Sequence, residues 1–289
     1  MKVVAIGGGH GLAATLQAVR RYADDICAIV SVADDGGSSG RLRAAFGIPS
    51  PGDLRRCLVA LADNALWTTA FEHRFGAGEL EGHAFGNLVI AGLADSTGDF
   101  SLALAEAGAI LGAVGRVLPA TCEPVELKAV VAAADGEPEH YVHGQLAVAN
   151  SARITGVSLV PADPEAPAAA LDAIAGADQV LIGPGSLFTS VLAAVAVPGI
   201  RAALAGTKAT KVYISNLREQ VPETAGFDVA AHVAALRAHG LDVDVVLCQP
   251  GTLPVGNVEV ERVEKPLARP DGVAHDPVRL AAALMNLVG

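Results

Sequence analysis

Apolar residues in this chain come in short runs that stop at glycine. Val3-Val4-Ala5-Ile6 runs into Gly7-Gly8-Gly9-His10-Gly11, after which Leu12, Leu16 and Val19 recur at helical spacing. The pattern predicts strand, glycine turn, helix. A second run, Ile26 to Val32, ends in Ala33-Asp34-Asp35-Gly36-Gly37-Ser38-Ser39-Gly40-Arg41. The chain therefore opens with a βαβ unit, which implies parallel strands and a right-handed crossover. Ile48-Pro49-Ser50-Pro51-Gly52-Asp53 reads as a stiff turn, with Asp53 expected to cap a helix running to about Ala62. Residues 84–94 and 100–114 read as helices. Residues 125–133 and 140–148 are β-like, joined by the hairpin signal Asp135-Gly136-Glu137-Pro138, and Arg153 to Val160 reads as a further strand.

The second half returns to alternation. A helix over 165–175 precedes a strand over 178–182, the loop Gly183-Pro184-Gly185-Ser186 and a helix over about 187–195. Strand 211–215, helix 227–239, strand 243–248 and a helix over about 276–287 complete the pattern. The expected fold is α/β, a Rossmann-like, doubly wound, mostly parallel sheet in one domain over 1–289, with an inserted β-hairpin region near 120–160. No period of 20–50 residues repeats, which excludes a solenoid.

Composition narrows the class. Apolar residues make up 52% of the 289, enough to exclude a disordered chain. Twenty Lys and Arg against 31 Asp and Glu leave a net charge of −11, which argues against nucleic acid as a partner. Anionic ligands stay open, because backbone N–H groups alone can build a phosphate pocket. The apolar stretches 100–118 and 187–206 are interrupted by Glu106 and Arg116, and by Pro198, Gly199 and Arg201, so no membrane span is expected. Three glycines cut short any signal-like run at the N-terminus. Cys27, Cys57, Cys122 and Cys248 lie far apart with no CxxC pair, and Cys27 and Cys248 sit in apolar runs as buried small hydrophobes. These features together read as a cytoplasmic protein, and the apolar excess makes a homodimer the expected assembly.

Three loops at the carboxyl ends of strands, where doubly wound sheets bind ligands, carry the candidate chemistry. In Gly7 to Gly11, Gly8, Gly9, His10 and Gly11 let a phosphate approach the backbone at a helix N-terminus. Gly7 and Gly9 match the start of G-x-G-x-x-G, but Leu12 stands where the third glycine belongs. In the second loop, Asp34 and Asp35 suit a ribose hydroxyl or a hydrated Mg²⁺, while Gly37, Ser38, Ser39 and Arg41 offer space and donors to an anion. In the third, Gly183, Pro184 and Gly185 precede Ser186 and Thr189, which are placed to donate to a phosphate with the helix N–H groups. Each loop also reads as a plain capped turn. One glycine turn in each half suits the two ends of one extended ligand, such as a nucleotide diphosphate joined to another group.

Asp53, one of Arg55 and Arg56, Asn87 beside His83, and Asn216 at the end of a strand are further ligand candidates. His275-Asp276 reads as a helix cap rather than a dyad. No G-x-x-x-x-G-K-[ST] or H-E-x-x-H occurs, which excludes P-loop NTPases and zincins.

These segments together resemble the YvcK/CofD-like proteins, in the YvcK or gluconeogenesis-factor branch. The resemblance rests on Gly7 to Leu12, Val32 to Leu42, Gly47-Ile48-Pro49 through Arg55 and His83 to Leu88. It continues with His143-Gly144-Gln145, Ala177-Asp178 and Gly183 to Ser190, so it runs nearly end to end. It implies a Rossmann-like protein that binds UDP-sugars, notably UDP-N-acetylglucosamine, and is linked to carbon-source-dependent growth, cell shape and peptidoglycan synthesis, with protein partners in cell-wall regulation. The more distant 2-phospho-L-lactate transferase branch implies the alternative, a Mg²⁺-dependent phosphotransferase. On this reading no cofactor is obligatory, Mg²⁺ at Asp34 and Asp35 is the candidate metal, and NAD or another nucleotide is an alternative ligand. Two departures stand out. Where the family tends to carry Arg-His-Asp followed by Thr, this chain has Ala274-His275-Asp276-Pro277, so an arginine contact is lost or supplied by Arg218 or Arg279. The family's Pro-Gly-Glu-Thr reads Val221-Pro222-Glu223-Thr224.

Overall fold

The apolar runs are strands because they are covered on both sides. In a computed structural model describing residues 1–133 and 138–287, β1 (Lys2–Gly7) and β2 (Asp25–Val30) bury five of their six residues, and β7 (Gln179–Ile182) and β9 (Val245–Cys248) bury all four. Continuous burial is what a parallel strand between two helical layers requires. With β3 (Arg116–Pro119), β8 (Thr210–Ile214) and β10 (Glu261–Glu264) they form a seven-stranded sheet in the order β10-β9-β8-β7-β1-β2-β3. Every pairing in it is parallel. The strand order reverses between β1 and β7, which makes the carboxyl ends of these two strands the topological switch point.

Helices α1 (Gly9–Val19), α2 (Gly37–Phe46), α3 (Gly52–Leu61), α4 (Ala65–Glu72), α5 (Phe85–Thr97) and α6 (Phe100–Leu111) belong to the first half. After α7 (Gln145–Ala149), the second half adds α8 (Ala168–Ala175), α9 (Leu192–Val195), α10 (Pro198–Gly206), α11 (Val229–Ala238) and α12 (Pro277–Leu284). Leu12, Leu16 and Val19 lie on one face of α1 and are fully buried, as their spacing predicts. No single helix among the described residues is long and apolar enough to cross a membrane.

Several expectations are corrected. Gly37 to Arg41, read as loop, begin α2, because Gly36 enters the helix extended and Gly37 takes a positive φ of 50°. Asp53 is not the cap of α3; Pro51 holds that position and Asp53 lies in the first turn. The helix expected from Leu187 starts as a π-type turn, Leu187–Val191, in which the Val191 N–H donates to the Ser186 carbonyl. α2, α4, α10, β3 and β10 lacked a readable pattern: β10 is an exposed edge strand, Glu-Arg-Val-Glu, with no apolar run.

The inserted region forms its own antiparallel sheet, in the order β5-β4-β6, from β4 (Glu126–Val131), β5 (His140–His143) and β6 (Ile154–Val160). The Asp135-Gly136-Glu137 part of the expected turn lies outside the described residues. β4 alternates half-buried and buried positions, the signature of a sheet covered on one face. The strand expected over 140–148 ends at His143. Gly144 at φ 90° turns the chain, and the Asp35 carboxylate accepts the N–H groups of Gln145 (2.9 Å) and Leu146 (3.0 Å) to start α7. A long-range cap thus makes a helix where local pattern suggested a strand. Asp35→Ala is expected to cost about 1 kcal/mol and to speed amide exchange in α7 and β5. Unchanged exchange there would show that α7 holds without its cap.

Candidate ligand-binding cleft

The loops after β1 and β7 meet across the switch point at near-contact distance. A Cβ on Gly11 would lie 2.2 Å from the Pro184 carbonyl oxygen, and one on Gly8 would lie 2.5 Å from Asp53 Oδ2. Thr15 Oγ1 donates to the Gly183 carbonyl (3.0 Å) and ties α1 to the second loop. Gly8 caps α1 without a side chain, and the first turn holds no acidic residue. The N–H groups of that turn are left for a ligand, with the positive end of the helix behind them.

This N-terminus sits between two lobes. The first, about 330 Å³, is lined by Gly8, Gly9, His10 and Gly11, by Asp34 and Asp53 with Arg56, and by Ser31 and Gln145. Gly185, Ser186, Thr189, Ser190 and Gln220 close its other side. The second, about 200 Å³, shares His10, Gly11, Gly185 and Gln220 and extends past Pro184 to Asn216–Arg218 and Val273–His275. A smaller cavity of about 140 Å³ lies at the opposite, amino end of the strands beside Lys2, Asp25 and Arg116, away from the switch point.

In the first lobe the acids differ in what they are free to do. Asp35 is occupied with α7, so the neighbouring pair Asp34–Asp35 does not face the ligand space together. Asp34 lines the lobe with Asp53 instead. Burial pushes the Asp34 carboxyl above its ordinary value, and the Asp53 charge adds to this; the Gly36 N–H and the Ser39 hydroxyl pull it back. Asp53 is paired with Arg56 at 2.5 Å. Among the described residues no three His, Cys, Asp or Glu side chains converge on one metal position. Two carboxylates nevertheless suit Mg²⁺, which keeps several waters and takes the rest of its shell from phosphates.

Other expected residues serve as scaffold. Arg55 points away from the lobe: Nε donates to Asn87 Oδ1 (3.0 Å), and Nη1 to the Phe71 carbonyl (3.2 Å) and to Glu72 (2.5 Å). Asn87 Nδ2 donates to Ser38 Oγ (3.1 Å), which also contacts His83 Nδ1 (3.1 Å). Arg41 donates to the Glu81 carbonyl (2.8 Å). Arg55, Asn87, Ser38 and Arg41 therefore brace α2 against α3, α5 and the 78–84 loop, while Arg56 supplies the cation in the lobe. Gly37 and Ser39 stand behind the first lobe in α2 and do not line it.

The third loop is organised from beneath. Asn216 accepts the Gly185 N–H and returns Nδ2 to the Gly185 carbonyl, both at 2.9 Å, and Gln220 Nε2 donates to Ser186 Oγ (3.1 Å). The buried Glu223 carboxylate accepts from the N–H of Phe188 (2.7 Å), the N–H of Thr189 (3.2 Å) and Thr189 Oγ1 (3.1 Å). An acid of the protein itself thus occupies the N–H groups expected to hold a phosphate here. Gly183 stays behind the loop, and Ser190 and Gln220 face the lobe instead. Glu223 sits in the segment after Asn216 already marked as a departure, but nothing in its spacing reports a contact 34 residues away. Asp276 caps α12 through the N–H groups of Val278 and Arg279, as expected. Arg279 donates to the Ala268 carbonyl outside both lobes, whereas Arg218 lines the second.

Burial raises the carboxyl pKa of both Asp34 and Glu223 above the ordinary 3.8 and 4.5, so the folded state binds protons more tightly than the unfolded chain. Their contribution favours folding below those values and is lost as pH rises through the raised folded ones. Asp34→Asn is therefore expected to stabilise the fold at pH 7, with the gain shrinking as pH falls toward about 4. A gain in melting temperature independent of pH would contradict this.

The model of the 2-phospho-L-lactate transferase CofD family matches residues 3–288. The chain belongs to the CofD family. Within it, the chain falls among the gluconeogenesis factors. That of Halalkalibacterium halodurans is 42% identical over 240 residues, covering 82% of this chain and 73% of that protein. A Mycobacterium tuberculosis protein provisionally given the same name is 43% identical over 304 residues, 98% of this chain and 89% of its own. A crystal structure of a UPF0052-family protein from Bacillus halodurans superposes with a TM-score of 0.90 at 34% identity, covering 98% of each chain. The switch-point cleft is thus the candidate site of a CofD-family fold.

Proposed function

We propose that the cleft binds a nucleotide diphosphate joined to a sugar, of the UDP-N-acetylglucosamine type, and that this CofD-family protein is a ligand-sensing regulator. The regulation extends to central carbon metabolism, in line with the name gluconeogenesis factor that its relatives carry, and to cell shape and cell-wall synthesis, on which that name is silent. The observation that carries the reading is the uncapped N-terminus of α1 between two lobes. A helix end of this kind takes a diphosphate, and lobes on either side give room for the two groups that a diphosphate joins. The first lobe offers carboxylates and amides suited to sugar hydroxyls. The second has apolar walls in Ala14, Pro184, Leu217 and Val273, suited to a flat base.

Calorimetric titration with UDP-N-acetylglucosamine, with and without Mg²⁺, followed by product analysis of the same mixtures, tests this. Binding without turnover is the expected result. No binding at millimolar ligand would sink the reading and would bring NAD and other nucleotides forward as ligands.

One observation favours a second reading, Mg²⁺-dependent phosphoryl transfer: Asp34 and Asp53 face the same lobe. Transfer of this kind relies on positioning and charge neutralisation, which two carboxylates and a hydrated cation supply. It requires metal-dependent product formation that is lost in Asp34→Asn.

A further inference from the structure

The two lobes differ in charge, and the difference orients the ligand. The first is lined by Asp34 and by Asp53, whose charge Arg56 offsets at 2.5 Å, so its remaining charge is that of Asp34. No carboxylate lines the second lobe, and Arg218 is its one Lys or Arg. His275, the lobe's buried imidazole, is kept neutral: burial pushes its pKa down to about 4, against a weaker upward pull from the Ser215 backbone. His10, exposed, stands at the junction of the lobes. Arg218 is itself exposed, and none of the ion pairs formed among the described residues includes it. The segment carrying it is held in place, because Asn216 is bonded to both sides of the Gly185 peptide. In a chain of net charge −11, an arginine left unpaired beside an open helix N-terminus is a positive feature against the general field.

From this arrangement we infer that Arg218 binds the phosphates of the ligand from the second-lobe side of α1, so that the nucleoside lies in the second lobe and the sugar in the first. The inference rests on the nucleotide-sugar reading for the identity of the ligand. The charge separation itself requires only an anion at α1 with an uncharged, hydroxyl-bearing group toward Asp34. Guanidinium and phosphate form charge-assisted, two-pronged hydrogen bonds. On the other side, an anion placed next to Asp34 meets repulsion, whereas a hydroxyl there finds an acceptor.

The test is calorimetric titration of the wild type, Arg218→Ala, Arg218→Lys and Asp34→Asn with three probes: UDP-N-acetylglucosamine, UDP and inorganic pyrophosphate. Arg218 is exposed and unpaired, so its variants keep the fold; circular dichroism and the melting temperature check this. Arg218→Ala is expected to weaken all three probes by about tenfold or more, the size of a lost hydrogen bond to a charged group. Arg218→Lys keeps the charge without the planar fork and should recover part of that loss. Asp34→Asn should remove the advantage of UDP-N-acetylglucosamine over UDP while leaving pyrophosphate affinity within about twofold. The wild-type affinity should fall with added salt more steeply than that of Arg218→Ala.

Affinities in Arg218→Ala within about twofold of wild type for all three probes would overturn the inference and leave the nucleotide-sugar reading standing. An Asp34→Asn loss as large for pyrophosphate as for UDP-N-acetylglucosamine would overturn the orientation. Pyrophosphate binding that depends on Arg218, without binding of either nucleotide, would support the cation site and overturn the nucleotide-sugar reading. Binding of none of the three probes by the wild type would overturn both.

Discussion

Replacing Gly11 with Ala is expected to destabilise the protein by about 3 kcal/mol or more and to abolish ligand binding at the cleft. On helix propensity alone the change should help, because Ala is favoured over Gly by about 1 kcal/mol inside a helix. The neighbouring backbone decides otherwise. The new methyl would sit 2.2 Å from the Pro184 carbonyl oxygen and 2.7 Å from its carbon, so either α1 or the loop after β7 must move. Neither moves freely, since Thr15 bonds the Gly183 carbonyl and Asn216 holds Gly185 on both sides. The control is Gly92→Ala in α5, where a Cβ meets nothing within 4 Å and propensity should prevail. A thermal melt of both variants checks the pair: Gly11→Ala should melt several degrees lower and Gly92→Ala no lower than wild type. Equal melting temperatures would mean that the two loops are less tightly apposed than their geometry indicates. Gly8→Ala separates fold from site. Its backbone is extended and tolerates a side chain, but the methyl would push on Asp53 Oδ2 at 2.5 Å, so binding should suffer more than stability.

The second large effect is expected at Arg55. Arg55→Ala should cost about 3 kcal/mol, although the residue touches no part of the ligand space. The guanidinium is buried, and its removal leaves Asn87 Oδ1 and the Phe71 carbonyl without their donor. Glu72, by contrast, is half exposed, and water takes over most of its charge. The loss therefore comes from unpaired buried acceptors and lost packing more than from the ion pair. Arg55→Lys keeps a charge but offers no fork to span Asn87 and the Phe71 carbonyl, and should recover less than half. Chemical denaturation gives the cost directly. A loss below about 1 kcal/mol for Arg55→Ala would show that water replaces the guanidinium's partners. Ligand affinity should change less than stability, because Arg56, the adjacent residue, is the one that faces the lobe.

Arg55 and Arg56 illustrate how far local sequence reaches. Adjacent residues in a helix point about 100° apart, so the two arginines cannot share one set of partners. Which one faces inward depends on where α4 and α5 lie, and no pattern within α3 reports that. Asp34 and Asp35 pose the same question. As neighbours they look like one acidic site, yet one lines the cleft and the other crosses to cap α7, 110 residues further along the chain. Glu223 is the converse case: a buried acid in a loop, its charge answered by a turn 34 or 35 residues before it.

The sequence by itself determined the parallel core, the order of its βαβ units and the glycine turns at the carboxyl ends of β1 and β7. These follow from local physics: both-face burial makes a continuous apolar run, and close backbone approach demands glycine. The family was legible for the same reason, since its motifs are such turns. Tertiary structure alone decided which acids share a lobe, that the turn after β7 is capped by the protein's own carboxylate, and that α7 exists at all. Those outcomes depend on contacts between residues far apart in the chain. Such contacts are set by how distant elements pack against one another, and no window of sequence contains both partners.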